Sequence, residues 1–320
     1  MAKQYAVELR IDDKIDSVFI VRNKHMRITK NNKSYLAFEL VDKSGETAGR
    51  IWDKAEEMSQ LFKDNDFVRI IGIVESFQNM LQINIKQIQR VDQDKIDIDE
   101  FLPKTDKDID IMFNQIVSII DSIKNKWLKN LLHAVFEVKE YRELFKKAPA
   151  SIKMHNYFIG GLLEHTLSVA SMCMEIDKYY KNINKDLLLT GAILHDIGKI
   201  YEYEYLHAFD YTDRGRLIGH IVIGAQMVKS KIAEISQFPA ELEMLLEHML
   251  LSHHGQYEWG SPKKPKVLEA VILHYLDDMD AKISGFQEMV GKSQEPDKKW
   301  TSRSFMFDNK MLYKDSNTGL

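Results

Sequence analysis

Seven side chains of metal-ligating type are spread through the C-terminal half of this 320-residue sequence: His165, the adjacent pair His195 and Asp196, His220, the adjacent pair His253 and His254, and Asp277. Neutral imidazole nitrogen and carboxylate oxygen are the ligand types that suit Mn, Fe, Zn and Mg. A single histidine on an apolar stripe is usually a core residue satisfied by a neighbour. A series of them, arriving from separate helices, points instead to a metal centre. Seven ligands are too many for one tetrahedral ion but suit two, with Asp196 placed to bridge them through its two oxygens. A water held between two cations loses its proton near neutral pH and becomes a nucleophile. Lys199, one turn beyond Asp196, is placed to reach that water or an anionic oxygen of the substrate.

The elements that must deliver these residues are helical. Gly191-Ala192-Ile193-Leu194-His195-Asp196-Ile197-Gly198-Lys199 is an apolar run followed by the pair, with Gly198 expected to let the backbone turn. Neighbours on a helix project about 100° apart, so His195 and Asp196 approach one ion from different directions. His165 lies on one stripe with Leu162 and Val169, and His253 on the face of Leu246, Met249 and Leu250. Ala270, His274, Asp277 and Ala281 share a face, with small residues beside the carboxylate. Helices are expected over 138–146, 162–180, 186–195, 217–235, 240–253 and 267–283. Upstream, Ile109, Phe113, Ile116, Ile120, Ile123, Trp127, Leu131 and Val135 keep a helical period. The alternation Tyr201-Glu202-Tyr203-Glu204-Tyr205 reads as a small hairpin. His274 and Asp280 stand where they could orient a ligand, and His155 and Arg216 where they could meet substrate phosphate.

The first 90 residues follow a different rule. Five short runs rich in β-branched and aromatic residues, 18–21, 35–40, 49–52, 67–74 and 81–85, are separated by turn residues. A short helix over 55–62 falls between the third and fourth. That order is the plan of an OB-fold barrel. Exposed Tyr35, Phe38, Trp52 and Phe77, near Arg27, Lys33, Arg50 and Lys86, are candidates for base stacking and phosphate attraction. Acidic residues crowd 91–110, which reads as a solvated linker. The expected layout is therefore multi-domain: an all-β barrel over 1–90, the linker, an all-α domain over 111–290, and a polar tail over 291–320.

Composition narrows the function classes. A net charge of −4 gives no global basic signature, so any polyanion must be held by local patches or by bound metal. The single cysteine, Cys173, excludes an internal disulfide and a cysteine-rich zinc site. The sequence opens without the apolar core of a signal peptide and holds no stretch of the roughly 20 apolar residues that a membrane helix needs. A cytoplasmic protein with no membrane contact is expected.

The order His, His-Asp, His, His-His, Asp, with HDIGK intact, resembles the HD-domain metal-dependent phosphohydrolases that hold two metals. Together with the barrel, the segments GGLLEHT, LLLTGAILHDIGK, GRLIGH and LSHHG resemble the YhaM family of bacterial 3′→5′ exoribonucleases over about residues 5–285. The resemblance implies an OB-fold barrel followed by an HD domain, with two divalent metals (Mn²⁺, or Fe²⁺ as the alternative) on the seven residues above and Lys199 beside them. It implies a homo-oligomer that shortens single-stranded RNA, with single-stranded DNA a second substrate, from the 3′ end to nucleoside monophosphates. Some relatives carry two histidines where this chain has His155-Asn156, and Gly161 stands where some related sites have a third-metal glutamate. A nucleotide or cyclic-dinucleotide phosphohydrolase with a regulatory barrel shares the same motifs and stays open as the alternative. A non-catalytic RNA-binding protein with a structural metal is the other.

Overall fold

The computed structural model describes residues 3–29, 31–78, 80–92, 94, 96–152, 157–176, 178–205, 210–291 and 299–314. His155 and His207 lie outside them. The chain divides into two compact units, residues 1–104 with 204–209, and residues 105–203 with 210–320.

The first unit is a closed five-stranded barrel. Strands β1 (Lys14–Ile28), β2 (Ser34–Asp42), β3 (Gly45–Ile51), β4 (Phe67–Phe77) and β5 (Met80–Arg90) close in the order β1-β2-β3-β5-β4, and helix α1 (Ala55–Ser59) follows β3. All neighbours run antiparallel except β3 and β5. Closure leaves no free sheet edge, and the period-two alternation fills the interior with Phe19, Val21, Leu36, Phe38, Leu40, Val68, Ile70 and Ile83. Phe38 corrects an expectation: it is not exposed. It shares strand parity with the buried Leu36 and Leu40 and meets Phe62 edge-on at 5.3 Å. Burying such a side chain contributes about 1.5–3 kcal/mol, and a strand offers it only one of two faces.

The second unit is helical. Helices α2 (Ile109–Ser122), α3 (Lys126–Phe136) and α4 (Lys139–Lys147) precede α5 (Gly161–Ile176) and α6 (Lys185–Leu194). The upstream apolar period is split in two, because Asn125 caps α3 by accepting from Trp127 N and Leu128 N. A cap of this type contributes about 1 kcal/mol. Helix α6 is buried on nearly every side, from Leu187 to Leu194. A short helix α7 (Lys199–Glu202) runs into paired two-residue strands β6 (Tyr203–Glu204) and β7 (Asp210–Tyr211).

One local expectation needs correction. The helix expected over 217–235 is broken at Gly219, whose φ of +77° ends α8 (Asp213–Ile218) and starts α9 (His220–Ala233) with His220 as its first residue. Gly198 closes the turn over residues 195–198 that separates α6 from α7, as expected, and it does so with right-handed helical angles. Close approach adds a second demand: a Cβ there would fall 2.1 Å from the carbonyl oxygen of His220 and 2.6 Å from Gly224 N. Helix α10 (Ala240–Ser252) then precedes the His-His pair, and α11 (Leu268–Gly291) carries Asp277. In the described part of the tail, Trp300 pairs with Tyr313 and Phe307 meets Phe286 of α11. No helix among the described residues is long and apolar enough to cross a membrane.

Candidate functional site

The helical unit brings all seven candidate ligands to one place. Two groups form, each with its ligand atoms within 4.8 Å of one another: Asp196, His220, His253 and His254, and His165, His195 and Asp277. Asp196 joins them. Its Oδ2 lies 3.3 Å from His195 Nε2 and 3.7 Å from His165 Nε2, while its Oδ1 lies 3.4 Å from His220 Nε2 and 3.6 Å from His253 Nε2. Asp277 Oδ1 completes the first group, 3.2 Å from His165 Nε2 and 3.7 Å from His195 Nε2.

Each of the five imidazoles is anchored from behind through Nδ1. His195, His253 and His254 donate to the carbonyl oxygens of Ala192, Leu250 and Trp259 at 2.7–2.8 Å. A carbonyl accepts only from N–H, so these three rings carry the proton on Nδ1 and turn the Nε2 lone pair inward. His165 Nδ1 meets Asp280 Oδ2 at 2.7 Å, and Ser168 donates to the other oxygen of Asp280. His220 Nδ1 lies 2.9 Å from both oxygens of Glu202, whose Oε1 also accepts from His220 N. Histidines that hold metals use their second nitrogen in this way. His274 donates from Nδ1 to the carbonyl oxygen of His253 at 2.9 Å, and so supports that ligand through its backbone.

Burial and orphaned atoms test the fit to a metal. His165, His195, Asp196 and His253 are at most 3% exposed. Asp196 Oδ1, His220 Nε2 and His253 Nε2 are buried without a hydrogen-bond partner, and all three face one another. Such groups are costly unless something else satisfies them, and a cation accepts lone pairs from all three at once. Mixed imidazole and carboxylate donors suit Mn²⁺, Fe²⁺ or Zn²⁺.

The charges are arranged to match. Burial opposes ionisation of Asp196, yet Lys199, with Nζ 2.6 Å from Oδ2, and His195 hold its carboxyl well below the usual range. Burial likewise works against Asp277, but the His165 hydrogen bond keeps it ionised. His165 pays the same desolvation and is still lifted to about 10 by Asp277 and Asp280. His254 is pushed the other way, to about 3, by burial and by His253 and His220. Lys199 is itself buried and kept charged by Asp196 against desolvation.

Glu202 is the residue that the sequence reading missed. The tyrosine alternation around it suggested a strand, whereas residues 199–202 are helical. The available signal was spacing: seven residues after His195, Glu202 shares its face if the helix continues through Gly198. His25 is exposed, His133 pairs with Asp121 at 3.3 Å, and His248 accepts from Lys266 N.

In the barrel, Tyr35 and Trp52 stack with centroids 4.6 Å apart and planes 23° from parallel. Trp52 is 39% exposed and Tyr35 half-buried. Arg27 is directly opposite Tyr35 in the β1–β2 register, and Arg50 sits on β3 two residues before Trp52. Phe77, 59% exposed, stands at the β4–β5 tip, and Lys86 is exposed on β5. Arg216 belongs to the helical unit, where it is exposed and donates to Asp210 at 2.6 Å.

Comparison with known proteins agrees with this division. Residues 162–282 match the family model described as HD domain, and residues 20–91 that described as OB-fold nucleic acid binding domain. Among solved structures, the chain is similar to a replication protein A heterotrimer bound to single-stranded DNA, at 28% identity over 26% of this chain and 58% of that one, with a TM-score of 0.21. It is also similar to the second OB-fold domain of replication protein A from Methanococcus maripaludis, at 18% identity over 28% of this chain and 95% of that one (TM-score 0.24). A third is the mitochondrial single-stranded DNA binding protein Rim1 of S. cerevisiae, at 11% identity over 26% and 96% (TM-score 0.23). The chain thus joins an N-terminal OB-fold of the nucleic-acid-binding kind to a C-terminal HD domain, the metal-dependent phosphohydrolase fold.

Proposed function

We propose that this protein is a divalent-metal-dependent 3′→5′ exoribonuclease of the YhaM type. The observation that carries the hydrolase part is Asp196, a buried carboxylate whose two oxygens face two separate ligand groups. His165, His195, Asp277 and Asp196 would hold one cation, and Asp196, His220, His253 and His254 the other. Divalent cations held there, Mn²⁺ being favoured, would supply an acidified water and charge neutralisation for phosphodiester hydrolysis. The chain's own groups do the rest. Glu202, Asp280 and three backbone carbonyls fix the imidazoles, and Lys199 balances the Asp196 charge while its ammonium lies within reach of an anionic substrate. Burial of the ligands keeps bulk water from competing.

The exonuclease part is supported by the barrel. The stacked Tyr35–Trp52 pair, with Arg27 on β1 opposite Tyr35 and Arg50 two residues before Trp52, offers a π-face and positive charge to any base. Stacking tolerates every base, which suits degradation without sequence preference, and a duplex has no free bases to offer. Phe77, Lys86 and Arg216 are the further contacts proposed for a strand of RNA or DNA. The test is a time course on 5′-labelled single-stranded RNA with Mn²⁺, beside a cyclic dinucleotide. A ladder that shortens one nucleotide at a time supports the reading. Turnover of the cyclic dinucleotide alone would transfer the site to the alternative phosphohydrolase class.

A further inference from the structure

We propose that the loop 256–264, through Tyr257 and Trp259, is a stacking subsite for the bases of a single-stranded substrate beside the metal centre. The proposal rests on the hydrolase reading above and adds a second place where the substrate is gripped. The loop leaves His254 through Gly255, whose φ of +72° and whose missing Cβ, which would lie 2.3 Å from the His274 ring, let the chain bend at once. It is then held firmly. Gln256 N donates to the His254 carbonyl at 2.9 Å, Trp259 N to the Gln256 carbonyl at 3.2 Å, and Gly260 N to the Tyr257 carbonyl at 3.0 Å. Buried Ser261 donates its hydroxyl to the carbonyls of Leu251 and Lys263.

On this fixed loop two large rings face solvent, Tyr257 at 60% and Trp259 at 51% exposure. Rigid, exposed aromatic rings lose little conformational entropy on binding, which is why they serve as anchors. Each carries a cation: Lys264 Nζ lies 5.3 Å from the Tyr257 centroid and Lys282 Nζ 5.9 Å from that of Trp259. The Trp259 ring also meets His274 at 6.1 Å and Lys282 is paired with Asp278 at 2.7 Å, so the exposed part of each ring is what a base would stack on, with Lys264 the nearer cation for the adjoining phosphate. Lys263 and Lys264, with Lys266 just beyond, outnumber Glu258 along this stretch, so the local charge favours a polyanion. The loop is tied to the chemistry by one bond, since the Trp259 carbonyl accepts from His254 Nδ1 at 2.7 Å. A base on Trp259 would therefore sit one residue from a ligand of the metal pair.

The experiment uses the full chain, a labelled single-stranded oligonucleotide and Mn²⁺, and measures kcat, KM and bound metal for the wild type, Trp259→Ala, Tyr257→Ala and Trp259→Phe. Expected are a KM for Trp259→Ala raised roughly tenfold or more, a smaller rise for Tyr257→Ala, and a value near wild type for Trp259→Phe, with bound metal undiminished in each. An unchanged KM in Trp259→Ala, or loss of metal from it, would overturn the subsite and leave Trp259 as an anchor for His254 only. A KM in Trp259→Phe as high as in Trp259→Ala would also count against stacking. If the wild type cleaves no oligonucleotide, the hydrolase reading falls and takes this one with it. A cleaving wild type with indifferent variants removes the subsite alone.

Discussion

The two units treat their candidate residues in opposite ways. In the helical unit, seven residues spread over more than a hundred positions gather in two groups that share one carboxylate, Asp196. In the barrel, four aromatics singled out by the same kind of reading separate: Phe38 enters the core, Tyr35 and Trp52 stack, and Phe77 stands at a hairpin tip. The difference lies in the residue types. A buried histidine or aspartate is expensive unless something satisfies it, so its arrival on an apolar stripe demands an explanation. A phenylalanine on a strand is equally at home in the core and at a surface, and its type alone decides nothing.

The contrast can be broken most sharply at Asp196. Asp196→Ala should abolish Mn²⁺-dependent hydrolysis and lower bound metal measured by atomic emission, while single-strand affinity, measured by fluorescence anisotropy, stays unchanged. Retained Mn²⁺-dependent cleavage would remove the proposed mechanism. The next largest effects are expected behind the ligands. Glu202→Gln and Asp280→Asn should each weaken metal affinity or activity by about 10–100-fold, the first by loosening His220 and the second by loosening His165. Equal loss of both ions in each variant would contradict the two-group geometry.

Protonation separates the two groups further. Without metal, Asp277 and Asp280 lift His165 to about 10, so at neutral pH a cation must displace its proton; His254, pushed down to about 3, is already neutral. Binding to the His165 group should therefore strengthen by about tenfold per pH unit from pH 7 to 9. Over the same range His254 contributes no such dependence. Calorimetry in buffers of different ionisation enthalpy counts the released proton, and a count of zero for both ions would refute the assignment. The sign for stability without metal follows the same rule. The His165 pairing contributes fully below its unfolded value near 6.5 and is lost as pH rises through about 10.

Barrel substitutions should be milder and graded. Trp52→Ala removes one half of the exposed stack and should cost about 1–3 kcal/mol of single-strand binding, read as a rise in Kd with kcat unaltered. Lys86→Ala should do least, lowering the slope of log Kd against log salt by about 0.7 if it neutralises one phosphate. A barrel variant that abolished turnover at saturating substrate would erase the division between gripping and cutting.

The sequence by itself determined the five-stranded barrel plan, the helical nature of the second half and which histidines and aspartates gather in it. Those features are written in period and residue type, which local physics reads directly: period two for strands, 3.6 for helices, and polar residues where apolar ones should stand. Tertiary structure alone decided the rest. Gly198 must be small because α9 packs on its Cα, a demand beyond the turn that the chain makes there, and that contact joins residues 22 positions apart. Glu202 reaches His220 only because Gly219 breaks the helix and starts a new one at the histidine. Phe38 takes the inner face because barrel closure fixes the parity of β2. In each case the deciding contact is long in sequence and short in space, and one-dimensional spacing carries no record of it.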